Sequence, residues 1–178
     1  NIREKIFYLV SGLVKLEKYD ESAFYTYTDY VKKETLFPYG GMFSDETYHY
    51  SAYAVTDIEL YYIPTILFEK LITDNPKQMI YFYHKLSKIL ESHEKRVQYI
   101  VVSNATNRII KTLNYLMKEL GDYTNPTMVK IPYPITINEV ADMSGCSRET
   151  VGNTIKKLKE MDKLEYERKL FVFKDLIY

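Results

Sequence analysis

Between Thr136 and Leu158 the chain carries two helix-start signals separated by one glycine, a pattern that little besides a tight helix–turn–helix accommodates. Thr136 followed three residues later by Glu139 is a capping box, so a helix begins there. Val140, Ala141 and Ser144 give it a narrow inner face, and small Ala141 lets a partner helix come close. Gly145 suits the left-handed residue that ends a helix. Ser147 then caps a second helix with an inner stripe of Val151, Ile155 and Leu158. Its outer face presents Arg148, Glu149, Asn153, Lys156 and Lys157, types that read base edges or grip phosphates. Such a pair can lay its second helix in the major groove of DNA. On spacing alone, an ordinary helical hairpin in a core is equally open.

The rest of the chain divides around this pair. Residues 1–65 read as mostly β. Lys5–Leu16 is β-rich with a bend or bulge at Gly12, Tyr19–Ser22 is a hairpin turn, and Ala23–Val31 alternates as a strand. Pro38–Gly41 reads as a loop, and Tyr48–Val55 and Ile58–Ile63 as strands around Thr56-Asp57. Short strands with turns at this frequency suggest a small barrel or sandwich. Thr65–Thr73 is a short helix that stops before Asn75-Pro76, and a long helix then runs from about Pro76 to Ser103.

On the long helix Met79, Tyr83, Leu86, Leu90, His93, Val97, Ile100 and Asn104 alternate spacings of four and three, the seam of a two-stranded coiled coil. Ile80, Phe82, Ile89 and Tyr99 form a second apolar side, expected to lie on the strands of the same chain. Asn104–Leu120 is a further helix and Gly121–Pro126 a loop. Val129–Ile131 is a short strand, and Lys163–Phe173 a hairpin turning near Arg168-Lys169. A helix pair followed by a hairpin is a winged helix. The expected division is a sensor at 1–75, a dimerisation helix at 76–103 and a DNA-binding domain at 104–178.

Composition narrows the classes. With 178 residues and 46% hydrophobic content, the chain can bury one large or two small cores. Formal charge is zero, and from Ser103 onward twelve Lys+Arg face ten Asp+Glu, so DNA affinity would rest on a local patch. Cys146 is the single cysteine, which excludes an internal disulfide or a Cys-rich metal cluster; it falls in the turn of the helix pair. His49, His84 and His93 have no Cys or acid at metal-ligand spacing, and no phosphate-binding glycine loop occurs. No catalytic constellation, metal site or cofactor is therefore assigned. The longest apolar runs are too short to span a membrane and no signal peptide opens the chain, so a cytoplasmic protein is expected. The start at Asn1 rather than Met suggests a segment upstream.

The string Gly145-Cys-Ser-Arg-Glu-Thr-Val-Gly152 closely resembles the recognition-helix segment of the Crp/Fnr family of bacterial transcription regulators. Gly41-Met-Phe43 and Ser51-Ala52 before Ile58–Ile63 are similar to the family's cyclic-nucleotide-binding β-roll, and Asn104–Leu113 to the start of its DNA-binding half. The resemblance implies an α+β fold: an N-terminal β-roll, a long dimerisation helix and a C-terminal winged helix-turn-helix. It also implies a homodimer on palindromic double-stranded DNA, a small-molecule effector in the roll, and RNA polymerase as a further partner. The expected DNA contacts are Thr136, Ser147, Arg148, Glu149, Thr150, Asn153, Lys156 and Lys157. The dimer interface is expected at Met79, Tyr83, Leu86, Leu90, His93, Val97 and Ile100, where His93 either serves as a polar seam residue that fixes register or faces its twin and repels it when charged.

The roll departs from the family. Where the type member holds a cyclic nucleotide with a Glu, an Arg-Ser pair and a Thr-Ser pair, this chain has Tyr39, Tyr50-Ser51 and His93-Glu94. A tyrosine cannot neutralise a phosphate as a bidentate Arg does, so cyclic AMP is not the expected effector. The tyrosine-rich roll and Leu36–Pro38 look more like regulators of Gram-positive arginine catabolism. A roll that acts only through protein contacts is the alternative function, and the cationic outer face of the second helix argues against it.

Overall fold

The computed structural model describes residues 1–21 and 26–174. In chain order the elements are β1 (Lys5–Ser11), β2 (Leu13–Tyr19), β3 (Thr26–Lys32), β4 (Thr35–Phe37), β5 (Ser51–Ala54), β6 (Glu59–Pro64), α1 (Thr65–Thr73), α2 (Pro76–Ile100), α3 (Ala105–Leu120), β7 (Val129–Lys130), α4 (Ile137–Ser144), α5 (Arg148–Glu160), β8 (Leu164–Glu167) and β9 (Leu170–Phe173). The expected α+β architecture of N-terminal sheets, long helix and C-terminal helix-turn-helix is what the structure contains. Two compact units make up the chain, Asn1–Phe24 with Asp29–Glu94 and Tyr25–Thr28 with Lys95–Tyr178, so the division falls within α2.

In the first unit β1 is flanked by β4 and β6, all antiparallel, and β2 pairs antiparallel with β5. Leu9, Val14, Val31 and Phe37 form the buried cluster, with Phe7, Leu16, Ile58 and Leu60 against it. Gly12 is the anticipated bend: its φ is +86°, and a Cβ there would lie 2.3 Å from the Asp57 carbonyl oxygen, so no other residue fits. Strand β4 was not anticipated, because three residues are too short for an alternation to register. The strand expected over 48–55 shrinks to β5, since the Tyr48 hydroxyl instead bridges the backbone of Lys5, donating to its carbonyl at 2.9 Å. The expected hairpin turn at Tyr19–Ser22 and the start of the strand at Ala23 lie partly outside the described residues.

Helix α2 ends at Ile100 rather than Ser103. Asn104 is therefore not part of the seam: its side chain accepts the Asn107 N–H at 3.0 Å and caps α3. Phe82 is the buried residue of α2, and Ile89 and Tyr99 are half-buried. Ile80, assigned to the same side by spacing, is 59% exposed. It follows Met79 directly, about 160° round the helix from Phe82, so it faces away from that side.

The second unit has a core of Ile109, Leu113, Leu116, Ile131, Ile135, Val140, Val151, Leu164 and Phe171, each at most 1% exposed. Sheet order is β7-β9-β8, and the β8–β9 turn has Arg168 and Lys169 both at positive φ, as a two-residue hairpin turn requires. The Tyr166 ring packs tilted against Phe171 at 4.4 Å and its hydroxyl donates to the Ile135 carbonyl, fastening the hairpin to the segment before α4.

Candidate nucleic-acid interface and roll cavity

The helix pair is held by short-range chemistry. Thr136 Oγ1 accepts the Glu139 N–H at 3.2 Å, and the Glu139 carboxylate accepts the Thr136 N–H at 2.7 Å. Glu139 also accepts the Thr136 hydroxyl at 2.8 Å, so this side chain is committed to the cap. Gly145 takes the left-handed conformation (φ 59°, ψ 39°), and the Cys146 N–H reaches back to the Ala141 carbonyl at 3.1 Å. Ser147 caps α5 through the Thr150 N–H, and its hydroxyl is 2.8 Å from that of Thr150.

Four α5 residues are buried: Val151, Thr154, Ile155 and Leu158. Thr154 was missed because a polar type hid it from an apolar stripe. Its hydroxyl is satisfied by the Thr150 carbonyl at 2.8 Å, which makes burial inexpensive. On the opposite side Arg148, Glu149, Asn153, Lys156 and Lys157 are all exposed. Of the eight expected DNA contacts, these five display free-standing side chains, whereas Thr136, Ser147 and Thr150 use their hydroxyls in caps.

Sequence reasoning also missed Arg108. From α3 its guanidinium donates to the carbonyls of Val102 (2.9 Å), Ser103 (3.1 Å) and Ser144 (3.3 Å), and it lies 3.5 Å from Cys146 Sγ. It thus ties the link before α3 to the turn between α4 and α5. Its only signal was a cation directly preceding a core isoleucine. Arg96 is similar: it donates to the Thr28 carbonyl at 2.8 Å and stands over the rings of Tyr27 (5.2 Å) and Tyr115 (5.6 Å). Cys146 contacts the Ala105 and Ser144 carbonyls through its thiol, the role of a small half-buried spacer.

In the first unit a cavity of about 650 Å³ is walled by Phe7, Leu16, Phe37, Tyr50, Ser51 and Tyr53, with Glu17, Lys18 and His49 among its polar groups. Of the effector candidates, Tyr50 and Ser51 line it. Tyr39 does not: its ring packs on Phe82 at 5.5 Å, and burial pushes its phenol pKa up. Burial also pushes up the Tyr50 phenol, helped by the charge of Asp29. The Tyr50 hydroxyl would lie 2.7 Å from a Cβ on Gly40, so this ring occupies the space above the Gly40-Gly41 loop. His49 pairs with Asp45, which holds that carboxyl below its ordinary pKa. His93 and Glu94 do not line the cavity either. His93 Nε2 lies 3.3 Å from Asp29, so the ring has a carboxylate partner in its own chain, and Glu94 is exposed. When charged, His93 would be attracted to Asp29.

The seam residues Tyr83, Leu90, Val97 and Ile100 are 46–68% exposed in the single chain, while Met79, Leu86 and His93 are half-buried. Among the described residues no group of His, Cys, Asp and Glu could hold a metal, and no helix is long and apolar enough to cross a membrane.

Residues 2–75 match the family model of the cyclic nucleotide-binding domain, and residues 107–176 that of the Crp-like helix-turn-helix domain. The chain is 30% identical over 171 residues to the cAMP-activated global transcriptional regulator CRP of Pasteurella multocida, covering 95% of this chain and 80% of that one. It belongs to the Crp/Fnr family of DNA-binding transcription regulators. A second Crp/Fnr relative is the HTH-type transcriptional regulator ArcR of Staphylococcus epidermidis, 29% identical over 87% of this chain and 67% of its own length. In fold, the chain matches the c-di-GMP responsive global regulator CLP of Xanthomonas campestris with a TM-score of 0.77, at 23% identity over 98% of this chain and 86% of that one. It matches FixK2 of Bradyrhizobium japonicum with a TM-score of 0.80, at 16% identity over 98% and 85%. The Crp/Fnr relatives named here are transcription regulators rather than enzymes.

Proposed function

We propose that this Crp/Fnr chain works in the cytoplasm as a homodimer whose two α5 helices read the half-sites of a palindromic operator, under control of a roll ligand other than a cyclic nucleotide. The observation that carries the DNA reading is the two-sidedness of α5. One face is buried, while Arg148, Glu149, Asn153, Lys156 and Lys157 stand exposed on the other. Arg and Glu near the helix start suit base edges, and the two lysines suit phosphates. Arg168 and Lys169, exposed at the tip of the β8–β9 turn, offer a second cationic point for the sugar–phosphate chain. The exposed apolar seam of α2 supports pairing of two copies, and two-fold symmetry sets half-sites about 34 Å apart.

The cavity supports a ligand that is not a cyclic phosphate. Tyr50 carries no cation to meet a phosphate, Tyr39 is turned onto Phe82, His49 is engaged by Asp45, and Lys18 lines the cavity together with Glu17, itself paired with Lys15 at 2.8 Å. An uncharged, aromatic-friendly molecule fits those walls. Calorimetry with cyclic AMP is expected to show no binding; micromolar binding would reverse this reading.

The test of DNA reading is selection of bound duplexes from random sequence, followed by the same selection with Arg148→Ala. The variant is expected to lose about 1–3 kcal/mol and relax specificity at one base pair per half-site. Uniform weakening on every sequence would reduce Arg148 to a phosphate contact. At the base pair facing Asn153 the selected sites should prefer A·T, since Asn pairs bidentately with adenine.

A further inference from the structure

Gly152 lies in the interior of α5 at an ordinary helical φ, and a Cβ built on it meets nothing within 4 Å. The fold therefore needs glycine there neither for space nor for backbone conformation, in contrast to Gly12 and Gly145. Yet glycine within a helix is less stable than alanine, because the bare backbone loses more freedom on ordering. A substitution that the protein's own structure would welcome is absent at this position, so the reason is to be sought outside the chain.

The position of Gly152 says where. Helical neighbours on a surface are three and four residues apart. For Gly152 these include Arg148 and Glu149 before it and Lys156 after it, all exposed. The glycine is half-buried, a notch flanked by Arg148 on one side and by Glu149 and Lys156 on the other, on the part of the polar face nearest the buried Ile155. A helix with its side chains is about 10–12 Å across, and the major groove is about 12 Å wide, so clearance there is of the order of one methyl group.

We infer that Gly152 is the point of closest approach between α5 and duplex DNA, and that its missing side chain lets the helix backbone sink far enough for Arg148 and Glu149 to reach base edges. This rests on the reading of α5 as the groove helix. The occupant is B-form DNA bound at a specific site; on non-specific DNA, where contact is mainly to phosphates, the notch matters less.

The test uses the full chain, the duplex recovered by wild-type selection, and a scrambled duplex of equal length. Gly152→Ala is expected to raise the melting temperature by about 1–4 °C, from its helix propensity. The same variant should lower affinity for the selected duplex about tenfold, with less than a threefold change on the scrambled one. Gly152→Leu should lower specific affinity further while keeping the wild-type helical signal. Selected-site affinity within twofold of wild type for Gly152→Ala would overturn the inference, as would a fall in its melting temperature, which would mean that the fold itself requires glycine. If the wild-type chain recovers no sequence at all, the α5 reading fails and the notch with it. If wild type binds and Gly152→Ala binds equally well, the notch alone fails.

Discussion

The helices of the DNA-binding unit and the helix beside the roll are started by contacts on different length scales. In that unit each helix is started by a side chain of its own: Asn104 for α3, Thr136 for α4 and Ser147 for α5. Helix α1 beside the roll has Pro64 before it and no side-chain cap. Its anchors come from far along the chain: the Thr65 N–H donates to the Glu4 carbonyl, and Glu69 on α1 pairs with Arg3 at 2.7 Å. The helix starts of one unit are thus fixed within a single turn, whereas the start of α1 is fixed by groups about sixty residues away.

The largest expected effect comes from cutting into the core of the DNA-reading unit. Leu113 is fully buried, so Leu113→Ala should cost about 2–5 kcal/mol. Calorimetry should show one transition lowered and the other retained. If both fall together, the two units do not melt separately and the contrast drawn above is broken.

Next is Leu90, 60% exposed on α2. Leu90→Asp should leave the melt of a single chain almost unchanged yet yield monomers in sedimentation, with operator affinity lost by about a hundredfold or more. A variant that still sediments as a dimer removes the seam from the interface.

A smaller effect, about 0.5–2 kcal/mol, is expected from Thr136→Ala, which deletes the capping box of α4. Pro64→Ala, at a start without a side-chain cap, should change stability by less. Equal losses measured by denaturant titration would deny that capping separates the two units.

The smallest effect is a pH dependence located in the roll. Burial opposes ionisation of Glu69, but the Phe43 N–H and the Arg3 guanidinium outweigh it and hold the carboxyl below its ordinary value. A lowered folded value means that the ionised carboxylate stabilises the fold above the unfolded value of about 4.3, and that this contribution is lost as pH falls below it. Melting temperatures from pH 3 to 7 should therefore drop at the acid end in wild type, with a flatter profile in Glu69→Gln. Parallel profiles would shift the acid sensitivity to other carboxylates.

What could be read from residues alone was whatever depends on near neighbours in the chain. The caps at Thr136 and Ser147, the left-handed Gly145, the bend at Gly12 and the turn at Arg168-Lys169 follow from local backbone geometry, and all stand as expected. The spacing of Leu90, Val97 and Ile100 likewise follows from the helical repeat, although its extension to Asn104 ran past the true end of α2. Tertiary structure alone decided which distant groups meet. Nothing in the local sequence pairs His93 with Asp29, seats Arg96 between Tyr27 and Tyr115, or turns Tyr39 onto Phe82. Nor does it assign Arg108 the carbonyls around Val102 and Ser144. A buried or half-buried polar group takes the partner that packing brings within about 3 Å, and packing is set by how strands and helices stack across the whole chain. Periodicity can name the face on which a side chain lies. The partner it finds there is a property of the folded molecule.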